Sequence, residues 1–312
     1  MRRWWLIFRQ AITEFVADNG MKLSASLSYY TVFALGPVLI IIIFLAGIFF
    51  GRDAVRGKLF YQINGLVGNQ AAQQIQDIIQ NIEQSDYTTT GAAFGLVALL
   101  VGATGVFAEI QDSINYIWSL KAKPKQGWLK LLVNRLISFS LIVTFGFLLM
   151  VSLAVHALMD LLYERLQRFF DEATVIIFQS FNYVFLFLVI TTLFAIIFKV
   201  LPDGLLRWRD AFVGAIFTAS LFLAGKFVIG FYLGASDVSV TYGAAASIII
   251  ILLWVYYSSI ILFLGAEFTK VYTLNFGGGI TPDKTAVFIL KQEVNELNIP
   301  KVTENSEEHG NQ

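Results

Sequence analysis

The sequence contains few charged residues and no cysteine, and both shortages limit what the protein can be. Of its 312 residues only 14% are charged and 57% are hydrophobic, whereas roughly 25% of residues are charged in a soluble domain. So few charges cannot cover the surface of a soluble protein of this size. The absence of Cys excludes disulfides, thiolate metal sites and Cys nucleophiles. Together these features predict an integral membrane protein.

Histidine and net positive charge are also scarce. His156 and His309 are the only two histidines, too few for a His-based metal cluster. The formal net charge is zero, so no overall basic field would hold nucleic acid. The chain also lacks a His-Glu metal motif and a Ser–His pair. We therefore expect no enzyme activity, no metal, no cofactor and no nucleic-acid partner.

Long apolar runs dominate the chain. A bilayer core of about 30 Å needs roughly 20 apolar residues of helix. Six such runs occur, at 31–50, 91–110, 136–158, 175–200, 211–233 and 243–268. They predict an all-α fold, a polytopic membrane protein in which residues 22–275 form a bundle of six transmembrane helices. The three glycines at 277–279 should end the last helix, and residues 276–312 are predicted to form a polar cytosolic tail.

The positions of Lys and Arg predict the orientation. Sixteen of the 22 lie in the N-terminal segment, the second and fourth connections and the C-terminal tail, and five lie in the other connections. Because cytoplasmic segments carry an excess of Lys and Arg, both termini are predicted to be cytoplasmic. The bilayer is then the main partner, with a small solute or lipid as a possible second one. The sequence does not specify an oligomeric state.

Two segments outside the spans have the apolar spacing of amphipathic helices. The first covers residues 1–21, and its predicted apolar stripe is Trp5, Phe8, Ile12, Phe15 and Val16. We expect it to lie on the inner membrane surface. The second follows Asn69 in the outer connection, where isoleucines alternate with glutamines. This helical outer loop would either pack over the bundle mouth or move as a lid.

The first span opens with an unusual set of hydroxyl groups. Ser24 and Ser28 are four residues apart and share a helix face, Tyr29 is adjacent, and Pro37 interrupts the helix. A break at proline exposes backbone carbonyls, which is tolerated only against protein or a wet cavity. The set predicts either the lining of an inner-facing cavity, to which Tyr257 would also contribute, or a proline kink whose hydroxyls bond to their own helix.

Three ionisable residues lie within or at the end of predicted spans. Glu109 and Glu267 close the second and last spans, so both should lie near the cytoplasmic face. They would couple a proton or cation if adjacent, or would pair with basic residues such as Lys199 or Lys270. Lys226 lies deeper, and either extends toward the interface or pairs with an anion or an internal acceptor.

Small residues at four-residue spacing predict close helix packing, since they let helix backbones approach in lipid. Three such pairs occur in the second, fifth and last spans: Gly91 with Gly95, Gly230 with Gly234, and Gly243 with Ser247.

Several stretches together resemble the YihY/BrkB family of inner-membrane proteins. They are SASLSYYTVFALGP at 24–37, NYIW at 115–118, RDAFVGA at 209–215, and the run from 242 to 267 that ends LGAE. The resemblance covers roughly residues 5–275 and implies a bacterial six-span protein of the inner membrane. The family sometimes carries the label ribonuclease BN, but this chain lacks the clustered His and carboxylate ligands that a metal-dependent nuclease needs.

Two functions remain open from the sequence. The first is transport or permeation of a small solute, ion or lipid through an inner-facing polar cavity. The second is a non-catalytic membrane scaffold for envelope assembly or stress and serum resistance, which would dock partners on the outer helix and the inner loops.

Overall fold

The computed structural model describes residues 2–34, 73, 76, 105–123, 140, 172–235, 246–284 and 286–291. The predicted spans 31–50, 91–110 and 136–158 lie largely outside these residues. So do Pro37, Gly91, Gly95, Gly243 and nearly all of the predicted outer helix, and these remain predictions.

Helices form most of the described chain. They are α1 (Arg2–Ala17), α2 (20–34), α3 (105–117), α4 (Glu172–Val200), α5 (Trp208–Ala235) and α6 (Ala246–Phe276). The bounds given for α2 and α3 are those of their described parts. Helices α4, α5 and α6 coincide with three predicted spans. Helix α6 continues eight residues past its predicted end, because its buried polar residues there are packed against protein.

Helices α5 and α6 are long and apolar enough to cross a bilayer, over Trp208–Phe231 and Ile248–Phe276. Only 33% and 44% of their most apolar windows are buried. The core helix of a soluble protein would be mostly buried, so these exposed apolar surfaces are better suited to lipid. Helix α5 packs between α4 and α6, and α1 packs along α6.

Helices α1 and α2 meet at a tight corner. Helix α1 ends at Ala17, and Asn19 adopts a left-handed conformation (φ 56°) before α2 begins. The N-terminal helix is therefore shorter than the predicted 1–21. Its protein-facing side is formed by Ile7, Ala11 and Phe15, which recur every fourth residue.

The apolar stripe predicted to face the membrane surface is divided. Phe15 is buried against protein, whereas Trp5, Ile12 and Val16 are exposed and can still face a membrane. The helix has apolar residues on more than one side, and spacing alone could not decide which side would contact α6.

Four short strands accompany the predicted helices, so the described chain is mostly rather than entirely helical. They are β1 (Leu120–Ala122), β2 (Gly204–Leu205), β3 (Thr281–Pro282) and β4 (Ala286–Phe288). Strand β1 pairs antiparallel with β4, with Lys121 opposite Val287, and β2 pairs antiparallel with β3. Strands of two or three residues are too short to show the alternation that predicts a strand.

The strands also show how the first part of the predicted tail folds. Helix α6 ends at Phe276, before the glycines, as predicted, but the chain then folds back against the connections that follow α3 and α4. Asp283 donates its backbone N–H to the carbonyl of Asp203 at 2.9 Å, and Ile289 donates to Ser119 at 2.8 Å. The segment up to residue 291 is therefore part of the folded bundle. The two connections and the tail, which the Lys and Arg distribution assigns to one side, meet at one end of the bundle.

Candidate functional site: a buried charge cluster

Five charged side chains meet at this end of the bundle, and we call them the charge cluster. Glu14 comes from the last turn of α1 and Asp18 from the corner that follows it. Glu267 and Lys270 are one turn apart on α6, and Lys291 follows β4. The cluster therefore connects the beginning of the chain to the last helix and to the segment beyond it.

Lys270 is the centre of the charge cluster. Its Nζ lies 2.8 Å from Glu14 Oε2, 3.0 Å from Glu267 Oε2 and 3.5 Å from Asp18 Oδ2. It also donates to the backbone carbonyl of Ile117, at the end of α3, at 2.9 Å. The ammonium is largely buried and has its three donors directed at protein acceptors. Lys270 thus holds α1, α3 and α6 together through one charged group.

Glu267 is the most deeply buried member of the charge cluster, with 0% of its side chain exposed. Its Oε2 accepts from Lys270, whereas Oε1 is buried and has no hydrogen-bond partner among the described residues. Buried carboxylates normally have their acceptors satisfied. Glu267 therefore presents one oxygen that could accept a proton, a cation or a donor group.

The charge cluster contains one more acid than base. Lys291 Nζ lies 2.7 Å from Asp18 Oδ2 and 4.0 Å from the centre of the Tyr116 ring, a cation–π contact. Three carboxylates are thus matched by two ammonium groups. Within the described ranges no three acidic or His side chains are arranged to hold a metal ion.

A second polar cluster holds the connection between α4 and α5 against α3. Asn115 Oδ1 accepts from the Asp203 N–H at 2.8 Å, and Asn115 Nδ2 donates to Asp203 Oδ2 at 3.0 Å. Gln111, one turn earlier, donates to Asp203 Oδ1 at 3.3 Å. Nearby, the indole of Trp118 donates to the carbonyl of Ala266 at 3.1 Å. The motif at 115–118 thus joins the end of α3 to the α4–α5 connection and to α6.

Replacing Asn115 with leucine should destabilise the protein. The substitution removes two part-buried hydrogen bonds, the one that the Asp203 N–H donates to Asn115 and the one that Asn115 donates to the Asp203 carboxylate, and a typical hydrogen bond contributes about 0.5–1.5 kcal/mol. The thermal melting temperature of the purified protein in detergent should fall. Replacement of the neighbouring exposed Tyr116 by leucine is a control for α3 itself, although it also removes the Lys291 contact. An equal loss of stability in both variants would contradict the role given to Asn115.

The described part of the predicted hydroxyl face makes hydrogen bonds within its own helix, and the cavity stays a prediction. Ser24 and Ser28 are buried and donate to the backbone carbonyls of Gly20 and Ala25, at 2.7 and 2.8 Å. Thr31 donates in the same way to Leu27. Tyr29 is 59% exposed, with its ring 4.8 Å from that of Phe33. These contacts match the alternative prediction, in which the hydroxyls bond to their own helix.

The three predicted ionisable residues have different surroundings. Glu109 is half-buried on α3, and no hydrogen bond or ion pair joins it to Glu267 within the described part of the chain. Glu267 pairs with Lys270, and pairing with a basic residue was the alternative predicted from the sequence. Lys226 is half-buried in α5. Tyr257 is half-buried in α6, and its hydroxyl lies against the backbone of Gly225, so it belongs to the packed seam between α5 and α6.

Helix packing also uses small residues other than the predicted ones. No described atom would contact a methyl group added to Gly230. The structure describes only the helix backbone at Gly234 and Ser247. The close approach occurs at two Gly-x-x-x-Thr pairs instead, where Gly214 of α5 faces Thr269 and Gly265 of α6 faces Thr218. Each threonine hydroxyl bonds back to the glycine carbonyl of its own helix, at 2.7 and 2.6 Å.

Sequence reasoning missed most of the charge cluster. Glu14, Asp18 and Lys291 were not singled out, because they lie far from Lys270 along the chain and outside the predicted spans. One weak signal was present: Glu14 and Asp18 are acids four residues apart on a helix otherwise rich in arginine.

The chain is similar to known bacterial membrane proteins. A family described as "Virulence factor BrkB" matches residues 11–288. A UPF0761 membrane protein of Rhodospirillum centenum is 30% identical over 281 residues, which cover 88% of this chain and 59% of that protein. A UPF0761 membrane protein of Verminephrobacter eiseniae is 28% identical over 275 residues, 85% of this chain and 62% of the relative.

The chain therefore spans about three-fifths of the length of these two curated relatives. No solved structure matches it. The family match includes most of the charge cluster and all of the second polar cluster. The resemblance found in the sequence is confirmed, and the chain is an integral membrane protein that belongs to the BrkB family.

Proposed function

We propose that this protein transports a small solute, ion or lipid across the bacterial inner membrane, with Glu267 as the acceptor of a coupling proton or cation. The observation that carries the proposal is the second oxygen of Glu267, which is buried and without a hydrogen-bond partner among the described residues. Intramembrane acids are costly and often lie on ion or proton pathways. The charge cluster has one carboxylate more than it has ammonium groups, so a bound cation or proton would neutralise the remaining negative charge.

The contacts of Lys270 could couple binding of a proton or cation at Glu267 to the positions of the helices. A proton or cation at Glu267 Oε1 would weaken the attraction between Glu267 and Lys270. Lys270 would then be held mainly by Glu14 and by the carbonyl of Ile117. The balance of contacts between α6, α1 and α3 would change, and the inner end of the bundle would loosen or tighten with the occupancy of one site. This proposal assumes six spans and cytoplasmic termini, as the Lys and Arg distribution predicts.

The test is transport by the purified full chain in liposomes that contain a pH-sensitive dye. A panel of labelled amino acids, sugars, inorganic ions and phospholipids would be offered with and without a pH gradient. We expect the wild-type protein to move at least one of them, and Glu267→Gln to lose gradient-driven uptake at least tenfold. Glutamine keeps the size of the side chain and an oxygen for Lys270, but cannot take up a proton.

Glu109→Gln is the matched control, since Glu109 is another acid near the same end of the bundle without a described contact to Glu267. It should retain most of the wild-type uptake. The proposal is wrong if the wild-type protein moves nothing in the panel, or if Glu267→Gln and the wild type transport equally under a pH gradient.

A scaffold function is the second candidate, and one observation favours it. Beyond α6, Val287, Phe288 and Leu290 are exposed apolar residues at the same end of the bundle as the charge cluster, and a partner protein could cover them. In that case Glu267→Gln and Lys226→Ala should leave the cellular phenotype intact. Deletion of residues 69–84 should abolish it if the outer helix docks a partner.

A further inference from the structure

An open apolar groove of about 470 Å³ lies between α1, α5 and α6. Helix α1 lines it with Trp4, Trp5 and Phe8, α5 with Ile216 and Phe217, and α6 with Phe268. The volume is within the roughly 300–1,000 Å³ that is usual for small-molecule sites. The groove is separate from the charge cluster, which lies at the other end of α1.

The floor of the groove is a set of stacked aromatic rings. Phe217 and Phe268 stack with ring centres 3.8 Å apart, and Phe8 meets Phe217 edge-on at 6.1 Å. Trp4 stacks against Tyr272 of α6 at 5.8 Å. These contacts fix the shape of the floor. The rim is less covered, because Trp5 is 63% and Ile216 is 47% exposed.

Two arginines share a helix face with residues that line the groove. Arg9 lies one helical turn after Trp5 on α1, and Arg209 lies one turn before Val213, another lining residue of α5. Arg3 adjoins Trp4, and the first turn of α1 contains no acidic residue. All three arginines are exposed, and within the described chain no hydrogen bond or ion pair engages their guanidinium groups. The neighbouring acid, Asp210, is buried and accepts from the Gly278 N–H at 3.1 Å.

We propose that this groove binds an anionic phospholipid, with an acyl chain against the aromatic floor and the phosphate at Arg9 and Arg209. Guanidinium groups recognise phosphate through paired hydrogen bonds, and basic residues beside a membrane attract anionic lipids. Tryptophans at such a position suit the boundary between headgroups and acyl chains. The chain belongs to a membrane protein family, so phospholipid surrounds it in the cell. The inference does not depend on transport activity.

The experiment is lipid binding by the purified full chain, measured by native mass spectrometry after exchange into detergent with added phosphatidylglycerol or phosphatidylcholine. We expect wild-type protein to retain phosphatidylglycerol at least tenfold more than phosphatidylcholine. Ile216→Trp fills the groove from its exposed rim and should reduce phosphatidylglycerol retention about tenfold. The double change Arg9→Gln and Arg209→Gln should remove the preference for phosphatidylglycerol while leaving weak binding of both lipids.

Val228→Trp is the matched control, because Val228 lies on the same helix, is 65% exposed and does not line the groove. It should bind phosphatidylglycerol as the wild type does. Melting temperatures of all variants would identify any that are misfolded. If Ile216→Trp is misfolded, the double change Arg9→Gln and Arg209→Gln decides the question alone. Equal binding of both lipids by the wild type would overturn the proposal. So would unchanged lipid retention in Ile216→Trp, or a change only in its oligomeric state, which would indicate that a second copy occupies the groove.

Discussion

Replacing Lys270 with methionine is expected to lower the melting temperature of the detergent-solubilised protein by about 6–20 °C. The variant removes a cation that lies within 3.0 Å of both Glu14 and Glu267. Glu267 is then a fully buried carboxylate without its counter-charge, and breaking a buried pair from one side costs about 3–5 kcal/mol. The backbone carbonyl of Ile117 also loses its donor. The measurement is thermal unfolding followed by tryptophan fluorescence or by loss of monodispersity.

Two further variants show whether the loss comes from unpaired charge. Lys22→Met removes an exposed lysine near the same corner and should change the melting temperature by little, because exposed ion pairs contribute about 0–1 kcal/mol. Adding Glu267→Gln to Lys270→Met should recover part of the loss, since the deepest carboxylate is then neutral. If the double variant melts below the Lys270 variant, the stability argument is wrong and Lys270 acts mainly through its backbone contact.

Adding one methyl group at Gly214 or at Gly265 is expected to destabilise the seam between α5 and α6. A Cβ atom at Gly214 would overlap the side chain of Thr269, and one at Gly265 would overlap Thr218. Both threonines are fully buried, so neither can move toward solvent. Overpacking of this kind costs about 1–3 kcal/mol, or a fall of about 2–12 °C in melting temperature.

Gly230→Ala is the control on the same helix. No described atom lies near its added methyl group, and alanine is favoured over glycine in a helix by about 1 kcal/mol. Its melting temperature should be equal to or slightly above that of the wild type. Thr269→Gly should rescue Gly214→Ala in part, because it removes the overlapping side chain. Equal losses at positions 214, 265 and 230 would show that α5 and α6 do not interlock through these residues.

Long features of the fold could be predicted from the sequence. Helices α4, α5 and α6 follow from runs of about 20 apolar residues, because the length of a helix in lipid is set by the bilayer. The end of α6 follows from three consecutive glycines. The grouping of the second connection, the fourth connection and the tail follows from Lys and Arg, and the structure brings these segments together at one end.

Specific contacts between distant residues could not be predicted. Glu14 and Lys270 are members of different helices, and nothing in a single sequence states that these helices are neighbours. A small-residue rule limited to glycine and serine pairs does not include Gly214 with Thr218 or Gly265 with Thr269. Threonine fits this seam because its hydroxyl bonds to its own helix, which leaves a compact, non-polar outline toward the partner.

The contacts of Asp18 have a consequence for synthesis. Glu14 and Asp18 leave the ribosome well before Lys270 and Lys291, which neutralise them. Both acids lack these basic partners until the helices between Asp18 and Lys270 have been synthesised. The N-terminal helix can therefore dock fully only after translation has reached Lys291, and nascent chains released earlier should be open to proteases at this corner.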